Sequence, residues 1–252
     1  MANMRTVVIA QNKGGVGKTA DAIHIAFHAA ERGLKTLVVD LDTGNLSKTM
    51  RQHRLEVPAS ALFLDEMPVV RDAPGPIALL HADRLLANVI YMPLERALRN
   101  FQVNLREFET RGFDLCVIDT PASIGIATIT ALRTADAVIS PVEMEDYSIE
   151  GIKDMMRVIV GAKQHNPKLH FLGIVPNRVD RRNPRQVKHL AEVQAAHGKL
   201  LAPVVVGLRT SVAEALAAGE PVWKSRKTTA RAAGAEMRAL GNHVLQTMGV
   251  AK

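Results

Sequence analysis

Residues 13–19 read KGGVGKT, and this run constrains the chain more than any other segment. It follows the short β-branched stretch TVVIA at 6–10 and leads into a helical pattern, ADAIHIAFHAAERG, at 20–33. Gly14, Gly15 and Gly17 let the backbone turn tightly enough for successive N–H groups to face one concavity. That concavity lies at a helix N-terminus, where the aligned peptide dipoles favour an anion such as phosphate. Val16 and Ala20 complete the run of backbone groups assigned to the cradle. Lys18 would bring positive charge to the β- and γ-phosphates of a nucleotide, and the Thr19 hydroxyl can ligate Mg²⁺.

The rest of the chain repeats the alternation begun there. TLVVDLD (36–42), DLCVIDT (114–120), DAVISPV (136–142), LHFLGIVPN (169–177) and PVVVGL (203–208) are continuous apolar runs, with IALLHA (77–82) a weaker one. Continuous rather than alternating apolarity predicts strands covered on both faces. Helical periodicity marks 20–33, 94–112, 211–221 and 228–248, although the last carries Gly234 and Gly241. Strands alternating with helices predict an α/β fold: a doubly wound, mostly parallel sheet flanked by helices on both faces. Residues 52–76 hold four prolines and no period, and are expected to be a surface excursion. Residues 1–252 are expected to form a single domain.

Composition excludes several classes. The 252 residues are 47% hydrophobic, which suits a packed core rather than a disordered chain. The lone cysteine, Cys116, excludes a disulfide scaffold and leaves too few ligands for an iron–sulfur cluster. Its place inside a strand predicts a buried, inert thiol. His24 and His28 are spaced i, i+4 in HIAFH, but without a glutamate or third ligand they are expected to be structural. No apolar run of membrane-spanning length is seen, and MANMRTVVIA enters a core strand at once, so a cytoplasmic protein without a signal peptide is expected. Residues 178–252 hold 13 basic and 5 acidic side chains, against 19 and 20 in residues 1–177. The whole net charge of +7 therefore arises in the last third, which favours a polyanionic partner.

KGGVGKT departs from the plain G-x-x-x-x-G-K-[ST] loop: Asn12 stands where the first glycine would fall, and Lys13 is an additional lysine. This resembles the signature-lysine P-loop ATPases, which include ParA partition proteins, MinD and the nitrogenase iron protein. The resemblance implies an ATP- and Mg²⁺-dependent ATPase and a homodimer that sandwiches two nucleotides. In such a dimer Lys13 would reach the partner's phosphates. VVDLDTGNLS (38–47) resembles the family's first switch. By that match Asp42 would orient the attacking water, with Asp40 close to the metal. Thr43 replaces the family's Pro-Gln and leaves the loop one residue short. LCVIDTP (115–121) resembles Walker B, so that Asp119, with Thr19 and Asp40, would belong to the Mg²⁺ site.

SPVEMEDYSIEGIKDM, FLGIVPNRVDRRNPRQ and VVVGLRTSVAEALAAGEPVWKSRKTTAR are most similar to ParA proteins of the IncC type. That similarity places Asn177, Arg178 and Arg209 around the adenine. It also gives the basic third a role in binding double-stranded DNA without sequence preference, through Arg181, Arg182, Arg185, Lys188, Lys224, Arg226, Lys227 and Arg231. Scarce aromatics, 4%, fit duplex backbone contacts better than single-strand stacking. A ParB-like centromere-binding partner would supply sequence specificity, since no N-terminal helix-turn-helix is expected. The implied setting is the cytoplasm, in association with the nucleoid. The glycine-interrupted basic C-terminal stretch is not expected to dock on a membrane. The alternative is a MinD-like ATPase that positions a protein or membrane cargo; a metabolic P-loop enzyme fits Lys13 and the later segments less well.

Overall fold

The computed structural model describes residues 4–42, 45–71, 75–145 and 148–250; Thr43, at the switch-loop departure, lies outside them. Six strands form one sheet: β1 (Arg5–Ile9), β2 (Thr36–Asp40), β3 (Ile77–Leu80), β4 (Leu115–Asp119), β5 (Ala137–Glu143) and β6 (His170–Asn177). Their spatial order is β3-β2-β4-β1-β5-β6, and every pairing is parallel. The helices are α1 (Lys18–Glu31), α2 (Asn45–Thr49), α3 (Leu94–Thr110), α4 (Ile126–Thr134), α5 (Ser148–His165), α6 (Pro184–His197), α7 (Thr210–Ala218) and α8 (Thr228–Thr247).

The strands are apolar throughout because both faces are covered. Val7, Ile9, Val38 and Val117 pack in one layer with Ala22 and Ile25 of α1 and Leu240 and Val244 of α8. Val8, Val39 and Ile118 pack in the other, with Phe101 and Phe108 of α3 and Met155 and Ile159 of α5. The strand order reverses at β1, between β4 and β5. In open parallel sheets the crevice beyond the carboxyl ends of the strands at such a point receives ligands, and the glycine-rich run leaves β1 there.

Two expectations change, and a weaker one is met. PVVVGL is not a sheet strand: it runs beside the end of β6, the Val206 N–H donating to the Pro176 carbonyl at 2.9 Å, with isolated bridges at Ile174–Leu201, before the segment, and Val179–Gly207, beyond β6. Pro203 on this segment and Pro176 on β6 lack N–H groups, so a continuous ladder cannot close between them. IALLHA, the weaker candidate, supplies β3. The 52–76 excursion is no surface loop: Leu55, Val57, Leu62, Phe63 and Val70 are buried. It lacks a period because Arg51–His53 and Ala59–Phe63 are short 3₁₀ turns. The carbonyls of Ala61, Leu62, Phe63 and Leu64 accept from the buried Asn100 and Asn104 amides of α3.

The glycines within 228–248 do not break α8. A Cβ on Gly241 would come within 2.5 Å of the His28 ring, so glycine there lets α8 lie close on α1. His24 and His28 prove structural. The His24 ring is fully buried, with Nδ1 donating to the Ala20 carbonyl at 2.7 Å and Nε2 accepting from the Val222 N–H at 3.1 Å. Burial lowers its pKa to about 4, so the ring is neutral. Cys116 is buried in β4, and burial raises its pKa. Among the described residues no helix is long and apolar enough to cross a membrane.

Candidate nucleotide site

The turn after β1 is shaped by its glycines. Gly17 caps α1 with φ 101°, in the left-handed region, and a Cβ there would lie 2.6 Å from Asn177 Nδ2. Glycine at this position thus satisfies both the turn and the close approach of β6. Lys18, the first residue of α1, is buried at 6% exposure, and its ammonium donates to the Lys13 carbonyl at 3.2 Å. Burial lowers its pKa, while the charges of Asp119 and Asp42 oppose the shift.

Thr19 and Asp119 meet across the crevice, the Thr19 hydroxyl donating to Asp119 Oδ2 at 2.6 Å. Asp119 is fully buried at the end of β4, and its Oδ1 has no hydrogen-bond partner among the described residues. Burial pushes its pKa up to about 8, the Thr19 hydrogen bond opposing and nearby Asp40 adding to the rise. A buried carboxylate oxygen without a donor, beside a hydroxyl at the mouth of a phosphate cradle, suits a divalent cation. Among the described residues no cluster of three or more His, Cys, Asp or Glu could hold a metal unaided. Mg²⁺ fits such a setting, since it takes few protein ligands and completes its shell with phosphate oxygens and water.

Asp40 is opposite Asp119 in the sheet register. Its Oδ2 accepts from the Ser47 N–H at 2.8 Å and the Ser47 hydroxyl at 2.5 Å, and its Oδ1 from the Asp42 N–H at 3.1 Å. The structure therefore gives Asp40 the work of tying Asp42 to Ser47 of α2. Burial raises its pKa and these hydrogen bonds oppose the rise. Asp42 is half-buried at the loop's entrance, near enough to Lys18 to act on its charge.

Lys13 points away from the cradle. Its ammonium pairs with Glu145 at 2.5 Å, with Glu143 at 4.0 Å, and its side chain is 52% exposed. Glu143 also receives Arg178 Nε at 2.6 Å.

Beyond Gly17 and Ala20 a cavity of about 660 Å³ opens, lined by Asn177, Arg178 and Arg209 among others. The size suits a nucleoside. Arg178 has φ 53°, a left-handed conformation that its N–H hydrogen bond to Asn177 Oδ1 (2.8 Å) helps to hold. Arg209 is committed to Glu236 of α8, at 2.6 Å, and Glu236 also accepts from the Gly207 N–H at 3.0 Å. Arg181 and Arg182 line this same cavity, so these two candidate DNA residues stand at the pocket.

All eight candidate DNA-binding side chains are exposed. They fall into two groups, 181–188 around the start of α6 and 224–231 around the start of α8. Arg182 is paired with Asp180, Lys188 with Glu192 and Lys227 with Glu214. Arg185 lies in the first turn of α6, behind the Asn183 cap.

Residues that the sequence reading did not single out also shape the site. Asp21, 1% exposed, accepts from Asn177 Nδ2 at 2.9 Å. Ser47, Glu143, Glu145 and Glu236 anchor the groups described above. Only Asp21 had a visible signal: it is the one acid in the first turn of α1.

A glycine turn at the strand-order reversal, a Lys-Thr helix start and a facing buried aspartate define the P-loop nucleotide-binding class. Residues 4–171 match the family model described as an AAA domain. The chain is 44% identical to Protein IncC of Escherichia coli, over 99% of this chain and 71% of that protein. It is 31% identical to chromosome partitioning protein ParA of Caulobacter vibrioides, over 87% of this chain and 86% of that protein. The fold matches that of cobyrinic acid a,c-diamide synthase from Mycobacterium smegmatis with bound ADP and magnesium, with TM-score 0.75, 25% identity and coverage of 98% and 96%. The chain belongs to the ParA family of partition ATPases, as KGGVGKT and the later segments implied.

Proposed function

We propose that this chain is an ATP-driven DNA-segregation switch. The observation that carries the reading is Asp119, buried, held on one oxygen by Thr19 and, among the described residues, lacking a partner on the other, at the mouth of the glycine turn. The N–H groups of residues 14–20 and the Lys18 ammonium would bind the phosphates of ATP. Mg²⁺, held at the Thr19 hydroxyl with Asp119 behind it and Asp40 close by, would neutralise phosphate charge when bound. Asp42 would orient the attacking water and accept its proton. The adenosine would occupy the cavity beside Asn177, Arg178 and Arg209.

Lys13 supports a dimer switch. Its ion pair with Glu145 is half-exposed, and such pairs contribute about 0–1 kcal/mol. Exchange of Glu145 for the triphosphate of a second copy therefore costs little, and that triphosphate offers more negative charge than one carboxylate. The homodimer would join the exposed cations of two chains into a surface for double-stranded DNA, read through phosphates and without base preference. Hydrolysis, stimulated by a ParB-like partner, would reverse the switch. In this reading the protein works in the cytoplasm on nucleoid DNA.

Sedimentation with Mg²⁺ and a slowly hydrolysed ATP analogue tests the switch. Wild type should dimerise, Lys13→Ala should bind the analogue yet stay monomeric, and Asp42→Ala should dimerise but hydrolyse ATP slowly. DNA retention should require ATP and fade as salt rises. Equal retention with ATP, ADP and no nucleotide would overturn the proposal.

A further inference from the structure

Behind the nucleoside cavity, the first turn of α1 carries a buried carboxylate that the nucleotide chemistry described above does not use. The Asp21 backbone N–H bonds to the Gly17 carbonyl at 3.0 Å, which fixes its Cα one helical turn behind the glycine loop. Its side chain is 1% exposed and does not line the cavity. Among the described residues it touches the cavity wall through one group only: Oδ2 accepts from Asn177 Nδ2 at 2.9 Å, while Oδ1 is buried without a partner.

Asn177 does line the cavity and is itself 2% exposed. Its Oδ1 accepts from the Arg178 N–H at 2.8 Å. A primary amide has two hydrogens on nitrogen and two lone pairs on oxygen. Each end of the Asn177 amide therefore spends one valence on the protein and keeps one hydrogen-bonding valence. An amide that could rotate by 180° about its last torsion would serve opposite base edges. In one orientation it meets an amino donor beside a ring acceptor, as in adenine; in the other it meets a carbonyl acceptor beside a ring N–H, as in guanine. Burial raises the Asp21 pKa and the Asn177 hydrogen bond opposes the rise; with Asp21 ionised, rotation would place Asn177 Oδ1 against an Asp21 oxygen and the amide NH₂ against the Arg178 N–H, acceptor on acceptor and donor on donor. Both clashes lie in a buried setting, where water cannot relieve them.

We propose that Asp21 is a specificity-determining positioning residue, holding the Asn177 amide in one orientation so that the pocket discriminates between a 6-amino and a 6-oxo purine. The proposal rests on the nucleotide reading above and extends it to base choice. Asp21 acts through Asn177 and has no contact with the phosphates in this assignment. It should govern the ratio of affinities for two bases and leave the triphosphate grip alone. The Arg178 N–H opposes rotation from one side only; Asp21 supplies the other half of the lock.

Equilibrium binding of ATP, GTP and inorganic tripolyphosphate to the full chain, with Mg²⁺, tests this. Wild type should separate ATP from GTP by on the order of 10- to 100-fold, as a two-point amide contact to a base does. Asp21→Leu keeps the forked side-chain shape, with methyls in place of the oxygens, and removes the acceptor. It should bring the two nucleotides within about threefold of one another, with tripolyphosphate binding unchanged. Asp21→Asn, whose amide can turn either its oxygen or its NH₂ toward Asn177, should also lose the separation, because only an ionised carboxylate accepts on both oxygens. If Asp21→Leu does not fold, Asp21→Ala with the same three ligands replaces it, its fold checked by thermal unfolding. Full ATP–GTP separation in folded Asp21→Leu, Asp21→Ala or Asp21→Asn overturns the proposal. Wild type that binds tripolyphosphate but neither nucleotide would instead overturn the nucleotide reading, and the inference with it.

Discussion

The two sides of the proposed nucleotide site, one for phosphates and one for the base, are built on different plans. The phosphate side comes from one contiguous run, residues 13–19, closed by the ends of β2 and β4. Lys18, Asp40 and Asp119, its charged groups at the crevice floor, are all buried. The base side gathers 17–20, 177–182 and 206–213 from across the chain. It is held by ion pairs that water partly reaches, Arg178–Glu143 and Arg209–Glu236. An uncompensated charge in a buried setting is costly, so the phosphate side should tolerate little change. Partly screened pairs contribute little each, so the base side should respond to mutation by degrees.

The largest expected effect falls on the phosphate side. Lys18→Ala leaves Asp119 and any bound phosphate without their buried cation, and nucleotide affinity should fall on the order of 1000-fold by calorimetry. A variant that binds ATP within tenfold of wild type would erase the contrast between the two sides.

Next comes the joint between α1 and the segment leading into α8, made by His24 and the Val222 N–H. The folded-state pKa of His24, about 4, lies below the ordinary 6.5. Between those values the unfolded chain binds a proton that the folded chain refuses, so stability falls as pH drops. Urea unfolding at pH 7 and pH 4 should differ by up to about 3 kcal/mol from this group. His24→Gln should flatten that slope; an unchanged slope would place the acid sensitivity elsewhere.

Smaller effects are expected at the surface. Arg226→Ala and Arg231→Ala should each weaken DNA binding several-fold and lower the salt slope by about one per lost phosphate contact. Their slope in salt titrations, set against that of Arg181→Ala, separates the α8 group from the residues at the pocket. The smallest change belongs to Glu236→Gln, which keeps the hydrogen bond to Gly207 but weakens the hold on Arg209. ATP affinity should drop only a few-fold, about 1 kcal/mol. A loss as large as that of Lys18→Ala would mean that the base side is as unforgiving as the phosphate side.

Legibility in the sequence followed the same division. The phosphate turn could be read because its residues are adjacent and its conformation demands glycine. The parallel sheet could be read because strands covered on both faces are apolar at every position. PVVVGL misled because its composition is that of a strand while its prolines deny it a ladder. The 52–76 segment misled because 3₁₀ turns leave no period, and their burial depends on Asn100 and Asn104 of α3. Arg181 and Arg182 were grouped with the DNA candidates by charge, yet they also line the pocket, since charge says nothing of direction.

The sequence alone determined the class of fold, the glycine turn that opens α1, and the family. Each of these is a local requirement, of backbone conformation, apolar periodicity or motif spacing, written into neighbouring residues. Only the tertiary structure decided that Asp40 ties Asp42 to Ser47, that Lys13 rests on Glu145, and that Asp21 reaches Asn177 across 156 positions of chain. Those pairings depend on which strand ends and helix turns the folded sheet brings together, and a hydrogen bond a few ångströms long leaves no trace in the order of residues so far apart.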